Sequence, residues 1–153
     1  MDHISFPVVE YKNMTTEGVP PKFRRCFYVE VHQIPRMLRE YCTSDCDGYD
    51  VYEAEYEQAA SIMYARPREL HLLMRPITMH VSRIAYDNRS GKVSLALEKT
   101  GIDGICIGSA VLDAILTHRD DPDINRDMYI EIEVFSGLTE DDLNELKRSR
   151  KFA

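Results

Sequence analysis

Ile77 to Leu97, ITMHVSRIAYDNRSGKVSLAL, holds the pattern that decides the fold. Ile77, Met79 and Val81 alternate with Thr78, His80 and Ser82, the period of a strand with one apolar face. The alternation slips near Arg83 before Ile84 and Tyr86, which predicts a bulge or twist there. Asp87-Asn88-Arg89-Ser90-Gly91 is turn chemistry, and Val93, Leu95 and Leu97 resume the apolar period beyond it. The two runs therefore read as a hairpin whose apolar face needs covering.

Working outward, Arg24 to Ile34 alternates in the same way, with Phe27, Val29 and Val31 on one side and Cys26, Tyr28, Glu30 and His32 on the other. Met128 to Phe135 is the last strand, with Met128, Ile130, Ile132 and Val134 inward and Tyr129, Glu131, Glu133 and Phe135 outward. Pro35 opens a short helix with Met37, Leu38 and Tyr41 on one side. A longer helix follows, capped by Asp50 with Glu53, striped by Tyr52, Tyr56, Ala59 and Met63, and ended by Pro67. Leu70 to Met74 extends the first hairpin strand, with Pro76 breaking the ladder between them. Ile107 to His118 is helical through Val111, Leu112, Ile115 and Leu116, and Thr139 with Asp142 caps a final helix within 138–153. Residues 1–22 form an extension in which Ile4 to Lys12 is an edge strand interrupted by Pro7.

Setting the two ends aside, the order is strand, helices, strand, strand, helix, strand, the ferredoxin-like βαββαβ pattern. The expected fold is α+β: a four-stranded antiparallel sheet with helices on one face, in a single domain over 1–153. The alternative is another α+β meander that the N-terminal segment joins.

The chain carries 19 basic and 26 acidic residues, a formal charge of −7, which disfavours broad nucleic-acid binding. No apolar run approaches the roughly 20 residues of a membrane span and the first residues lack a signal-peptide pattern, so a cytosolic protein is expected. Cys26, Cys42, Cys46 and Cys106 lack disulfide-scaffold spacing and are expected to be free thiols.

Several strings carry part of a chemistry. His118-Arg119-Asp120-Asp121-Pro122-Asp123-Ile124-Asn125 fits the kinase catalytic-loop letters, but no glycine-rich loop, strand lysine or D-F-G ligand accompanies it, and a charged helix end and turn explains it. Cys42 and Cys46, with Asp45, Asp47, Asp50 and His32, supply half a zinc pattern, and Tyr56 stands where a calcium loop needs its closing glutamate. His80-Val81-Ser82 has the H-x-S form of two-histidine phosphoesterases, yet neither His32 nor His71 supplies the second copy. Gly101, Gly104, Gly108 and Ser109 lie between a strand and a helix, where backbone N–H groups can cradle a phosphate, although no Walker or dinucleotide pattern is present. Neither a cofactor nor a metal is expected.

If the strands pair as expected, the uncovered sheet face gathers Tyr28, Glu30, His32, Thr78, His80, Ser82, Ser94, Glu98, Tyr129, Glu131, Glu133 and Phe135. Its aromatic content exceeds what solvation needs, and aromatic plus acidic chemistry suits a protein partner with a basic surface. The expected function is therefore a small interaction or regulatory protein, with the profile of inhibitors encoded by phages or mobile elements. The alternatives are a phosphate- or nucleotide-binding protein or hydrolase using Gly101–Ser109, and a homo-oligomer that pairs through an exposed last strand.

Overall fold

A computed structural model describes residues 1–15, 22–41, 49–99, 101–124 and 127–150. The chain is a mixed α+β structure. It runs through β1 (Asp2–Pro7), β2 (Val9–Asn13), β3 (Phe23–Glu30), α1 (Tyr49–Ala65), α2 (Leu70–Leu73), β4 (Ile77–His80), β5 (Arg83–Asp87), β6 (Lys92–Leu97), β7 (Gly104–Ile107), α3 (Ser109–His118), β8 (Tyr129–Ser136) and α4 (Glu140–Ser149). Short 3-10 turns occupy Val31–Gln33, Arg36–Tyr41 and Pro67–Glu69.

Among the described residues the strands make two sheets, β1-β6-β5 and β2-β3-β8-β4-β7. The four-stranded ferredoxin-like arrangement is thus corrected. The hairpin over Asp87–Gly91 forms as β5 and β6, but it leaves the sheet of β4 at Val81–Ser82 and pairs with β1 instead. The physical reason lies in the N-terminal segment. Ile4, Phe6 and Val8 are buried and offer β6 a partner, so Val93, Leu95 and Leu97 are sealed without joining β8. The extension is two strands rather than one, β1 and β2 falling in different sheets on either side of Val8.

β8 lies inside the larger sheet, antiparallel to β3 and parallel to β4, so the last strand is not an exposed edge. Parallel pairing puts the long stretch between β4 and β8 to use as a crossover that contains α3. Leu70–Leu73 is one helical turn, not a strand extension, because Pro67 opens a 3-10 turn that feeds directly into it.

The core lies on one side of the larger sheet. Phe27, Val29, Ile77, Met79, Ile130, Ile132 and Val134 meet Phe6, Val93 and Leu95 from the smaller sheet and Ala59, Met63, Val111, Leu112 and Ile115 from α1 and α3. Phe6 sets its edge on Phe27 with ring centroids 6.1 Å apart, joining the two sheets. The opposite, outer side carries a second cluster of Cys106, Ile107, Phe135, Leu138 and Leu143, with Leu146 packed on it. No described helix is long and apolar enough to cross a membrane.

Candidate functional site

The outer side of the larger sheet is where the expected interaction face falls, and α4 divides it. Thr139 accepts from the Asp142 N–H while the Asp142 carboxylate accepts from the Thr139 N–H, closing a capping box. Acidic residues fill the first turn and Lys147 and Arg148 the last, in accord with the helix dipole. So held, α4 lays Leu143 and Leu146 against Phe135 and brings Arg150 over the Phe135 ring at 5.7 Å. Glu133 and Phe135 were expected on an uncovered face; both are buried, because α4 covers the end of β8 that carries them.

Burial of the Glu133 carboxylate requires partners. Arg24 from β3 donates Nε to Oε2 at 2.5 Å, Arg150 donates to both oxygens, and Thr78 donates its hydroxyl to Oε1 at 3.1 Å. Burial pushes this carboxyl up, and the hydrogen bonds and charge of Arg150, then of Arg24, outweigh it and hold it below the ordinary glutamate range. Cys26, beside Glu133 across the β3–β8 ladder, is a buried free thiol pushed up chiefly by desolvation.

His80, also expected on the open face, is buried and belongs to a network that resembles a catalytic triad in composition only. Its Nε2 accepts the Leu138 N–H at 3.2 Å, which leaves the ring proton on Nδ1 to be donated to Asp103 Oδ1 at 2.9 Å. Ser82 donates to the other Asp103 oxygen at 2.5 Å, and the Glu98 N–H donates to that same oxygen at 2.9 Å. A nucleophile–base pair needs the hydroxyl on the imidazole, with a free nitrogen to take its proton. Here serine and histidine both serve the carboxylate, so the network ties the crossover after β4, the end of β6 and the loop before α4 together.

The remaining expected residues separate. Ser94 and Glu98 belong to the smaller sheet or its end, away from Glu131. His32 leaves the strand in the Val31–Gln33 turn, where its ring contacts Glu30 at 2.9 Å and the Arg119 carbonyl at 2.7 Å. Arg119 in turn donates to the Val31 and Ile34 carbonyls at 3.1 and 2.5 Å, so the kinase-like letters staple a turn, and desolvation lowers this guanidinium's pKa. A cleft of about 280 Å³ opens beside His32 and Arg119, lined further by Asp120, Asp121, Pro122 and Ile124. Cys42, Asp45, Cys46 and Asp47, the Asp50 side chain and Asn125 lie outside the described residues. Among the described residues no histidine, cysteine and carboxylate cluster has the makings of a metal site.

The glycine segment divides into an exposed Gly101 at φ 102° and a remainder buried from Gly104 to Ser109. Gly104–Ile107 is strand β7, fully buried against β4, and Gly108, Ser109 and Ala110 are buried too, which closes the α3 N-terminus to solvent. Gly108 takes φ 89°, and an added Cβ would lie 3.1 Å from the Ile77 Cα, so its use is close packing.

What stays on the open part of the outer face is Tyr28 and Glu131, paired across the ladder, with Glu30 and Tyr129 paired beside them, all half-buried. The Glu131 charge pushes the Tyr28 phenol above its ordinary range. His71 of α2 sets its ring against Tyr28 at 5.7 Å, and the adjacent Leu72 and Leu73 are 72% and 39% exposed. Sequence reasoning missed this α2 border, and the adjoining leucines after a proline-capped turn were its signal. It also missed the tyrosine–histidine chain between α1 and α3, in which Tyr56 and Tyr64 flank His118 at 3.2 Å each. Comparison with family models, with curated proteins and with solved structures found no match, which leaves the chemistry of these surfaces as the guide to function.

Proposed function

We propose that this chain is a protein-binding regulatory module of the inhibitor type, which engages a partner through the open part of its outer sheet face together with α2. The observation that carries the reading is Leu72, an apolar side chain 72% exposed on a helix whose neighbouring His71 already packs against Tyr28. Exposed leucines on the turn whose His71 packs against half-buried Tyr28 offer an apolar contact centre, the chemistry of interface anchors. Glu30 and Glu131 rim it with negative charge on a chain of net charge −7, which favours a basic partner surface and speeds encounter. The module acts by occupying that surface, and the triad-like network plays the structural part derived above.

Affinity capture with the tagged chain tests the reading. The expected result is one stoichiometric partner held by the wild type and lost with Tyr28→Ala, Leu72→Asp or Glu131→Lys, each still folded by circular dichroism, with the thermal midpoint kept by Leu72→Asp and lowered by Tyr28→Ala, whose ring also packs on His71. Capture that ignores all three replacements, or recovers nothing, overturns it. Phe135, now seen to be buried, is unsuitable for this test because its replacement would disturb packing under α4.

A further inference from the structure

We infer that two copies of this chain pair edge to edge through β5, antiparallel and centred on Ala85, to give a two-fold dimer with a continuous six-stranded sheet. Every open sheet has edges that invite another strand, and proteins blunt them with prolines, bulges, charges or cover. Among the described residues the two sheets have four edges, and three of them are blunted. β1 ends in Pro7, β2 carries a register shift and Glu10 at φ 56°, and β7 is buried throughout. β5 has neither proline nor register shift, its two charges, Arg83 and Asp87, are of opposite sign so that a second copy can match them, its residues are exposed apart from half-buried Ile84, and among the described residues no strand pairs with its far side.

The charges on β5 decide the occupant. Arg-Ile-Ala-Tyr-Asp over 83–87 begins with a cation and ends with an anion. Such an edge repels a parallel copy in register and matches an antiparallel one. Pairing about Ala85 sets Arg83 opposite the second copy's Asp87, twice by symmetry, and Ile84 opposite the second copy's Tyr86. The small Ala85 side chain sits at the two-fold axis, where it meets its own copy without crowding. Tyr86 is already held in place by Tyr11, stacked on it at 4.3 Å and 6°, so little side-chain order is lost on pairing. The surface differs from the proposed partner face, since β5 belongs to the smaller sheet.

Sedimentation equilibrium of the full chain over a range of concentrations tests this. The wild type is expected to approach twice the chain mass on concentration, and Arg83→Glu to raise the dimer dissociation constant about tenfold or more, since it sets like charges opposite each other twice. Arg83→Lys should keep the dimer. Asp87→Lys should also be monomeric, and an equimolar mixture of the Arg83→Glu and Asp87→Lys chains should recover a heterodimer in which every opposed pair is complementary. Asp87 also accepts from the Arg89 N–H and the Ser90 hydroxyl in the turn, so the fold of that variant is checked by circular dichroism, and Arg83→Glu decides the matter alone if it fails. A wild type that remains monomeric up to millimolar concentration overturns the inference. So does a dimer that Arg83→Glu leaves unmoved.

Discussion

The backbone N–H of Leu138 donates to Nε2 of His80 at 3.2 Å across 58 residues of sequence, and this bond uses the nitrogen that a general base would need free. His80→Ala would leave that amide without its acceptor and Asp103 without one of its donors, both in a site where His80 is 5% exposed. The expected loss is about 2–3 kcal/mol in urea unfolding, the cost of orphaning buried polar groups. Ser82→Ala should cost about 1 kcal/mol, because Asp103 keeps its bonds from His80 and the Glu98 amide. Equal losses from the two variants would refute the hierarchy.

Two glycines at positive φ are expected to respond differently to one methyl group. Gly104 sits at φ 131°, and an added Cβ would fall 2.6 Å from the Tyr41 carbonyl carbon and against its oxygen. Backbone must move to admit it, so Gly104→Ala should cost about 4 kcal/mol or more and yield mostly insoluble chain. Gly101, at φ 102° with nothing within 4 Å of such an atom, pays conformational strain alone, about 1–2 kcal/mol. Soluble yield and thermal midpoint separate the cases.

These two sites also show what a sequence carries. Val29 and Ile132 stand in alternating runs long enough to declare β3 and β8, and α1, α3, α4 and the Asp87–Gly91 turn were legible from stripes, caps and turn residues. Gly104-Ile105-Cys106-Ile107 is too short for a period to emerge between glycines, and it becomes a strand only because β4 lies beside it. Sheet membership of the hairpin depended on β1, nearly 90 residues away, which no local pattern encodes. For the site, alternation grouped Tyr28, Tyr129, Glu131, Glu133 and Phe135 on one side of the sheet, as the ladder has them. It was silent on where α4 would dock, and docking is what buries Glu133 and leaves Glu131 half-open.

The chain of hydroxyls around His118 has a direction. Tyr64 gives its proton to Asp121 Oδ2 at 2.7 Å, so it accepts from His118 Nδ1, and His118 Nε2 accepts from Tyr56. The hydrogen bond from Tyr64 helps hold the Asp121 carboxyl below its ordinary range, after the larger contribution of the Asp123 N–H. Tyr64→Phe should therefore raise the Asp121 pKa only part of the way back. Carboxyl-carbon NMR titration measures it, and an unchanged value would mean the bond does not form in solution.

Glu133 should govern part of the acid limb of stability. Its carboxyl titrates below the ordinary value of about 4.3 because Arg150 and Arg24 favour the charged form more than burial disfavours it. A folded pKa below the unfolded one means that the contribution is complete above the unfolded value. It is then lost as pH falls through the folded value. Glu133→Gln removes the charge while Arg24 and Arg150 stay in place. Since these partners are 30% and 36% exposed and water relieves part of the imbalance, about 2–3 kcal/mol is expected at neutral pH rather than the larger cost of breaking a fully buried pair. The variant's urea midpoint should also fall less steeply than that of the wild type on acidification. Some slope must survive, because Asp87, Asp121 and Asp142 are also held below their ordinary range. Parallel acid limbs for the two chains would mean that the Glu133 carboxylate is not the anion on which α4, through Arg150, is anchored.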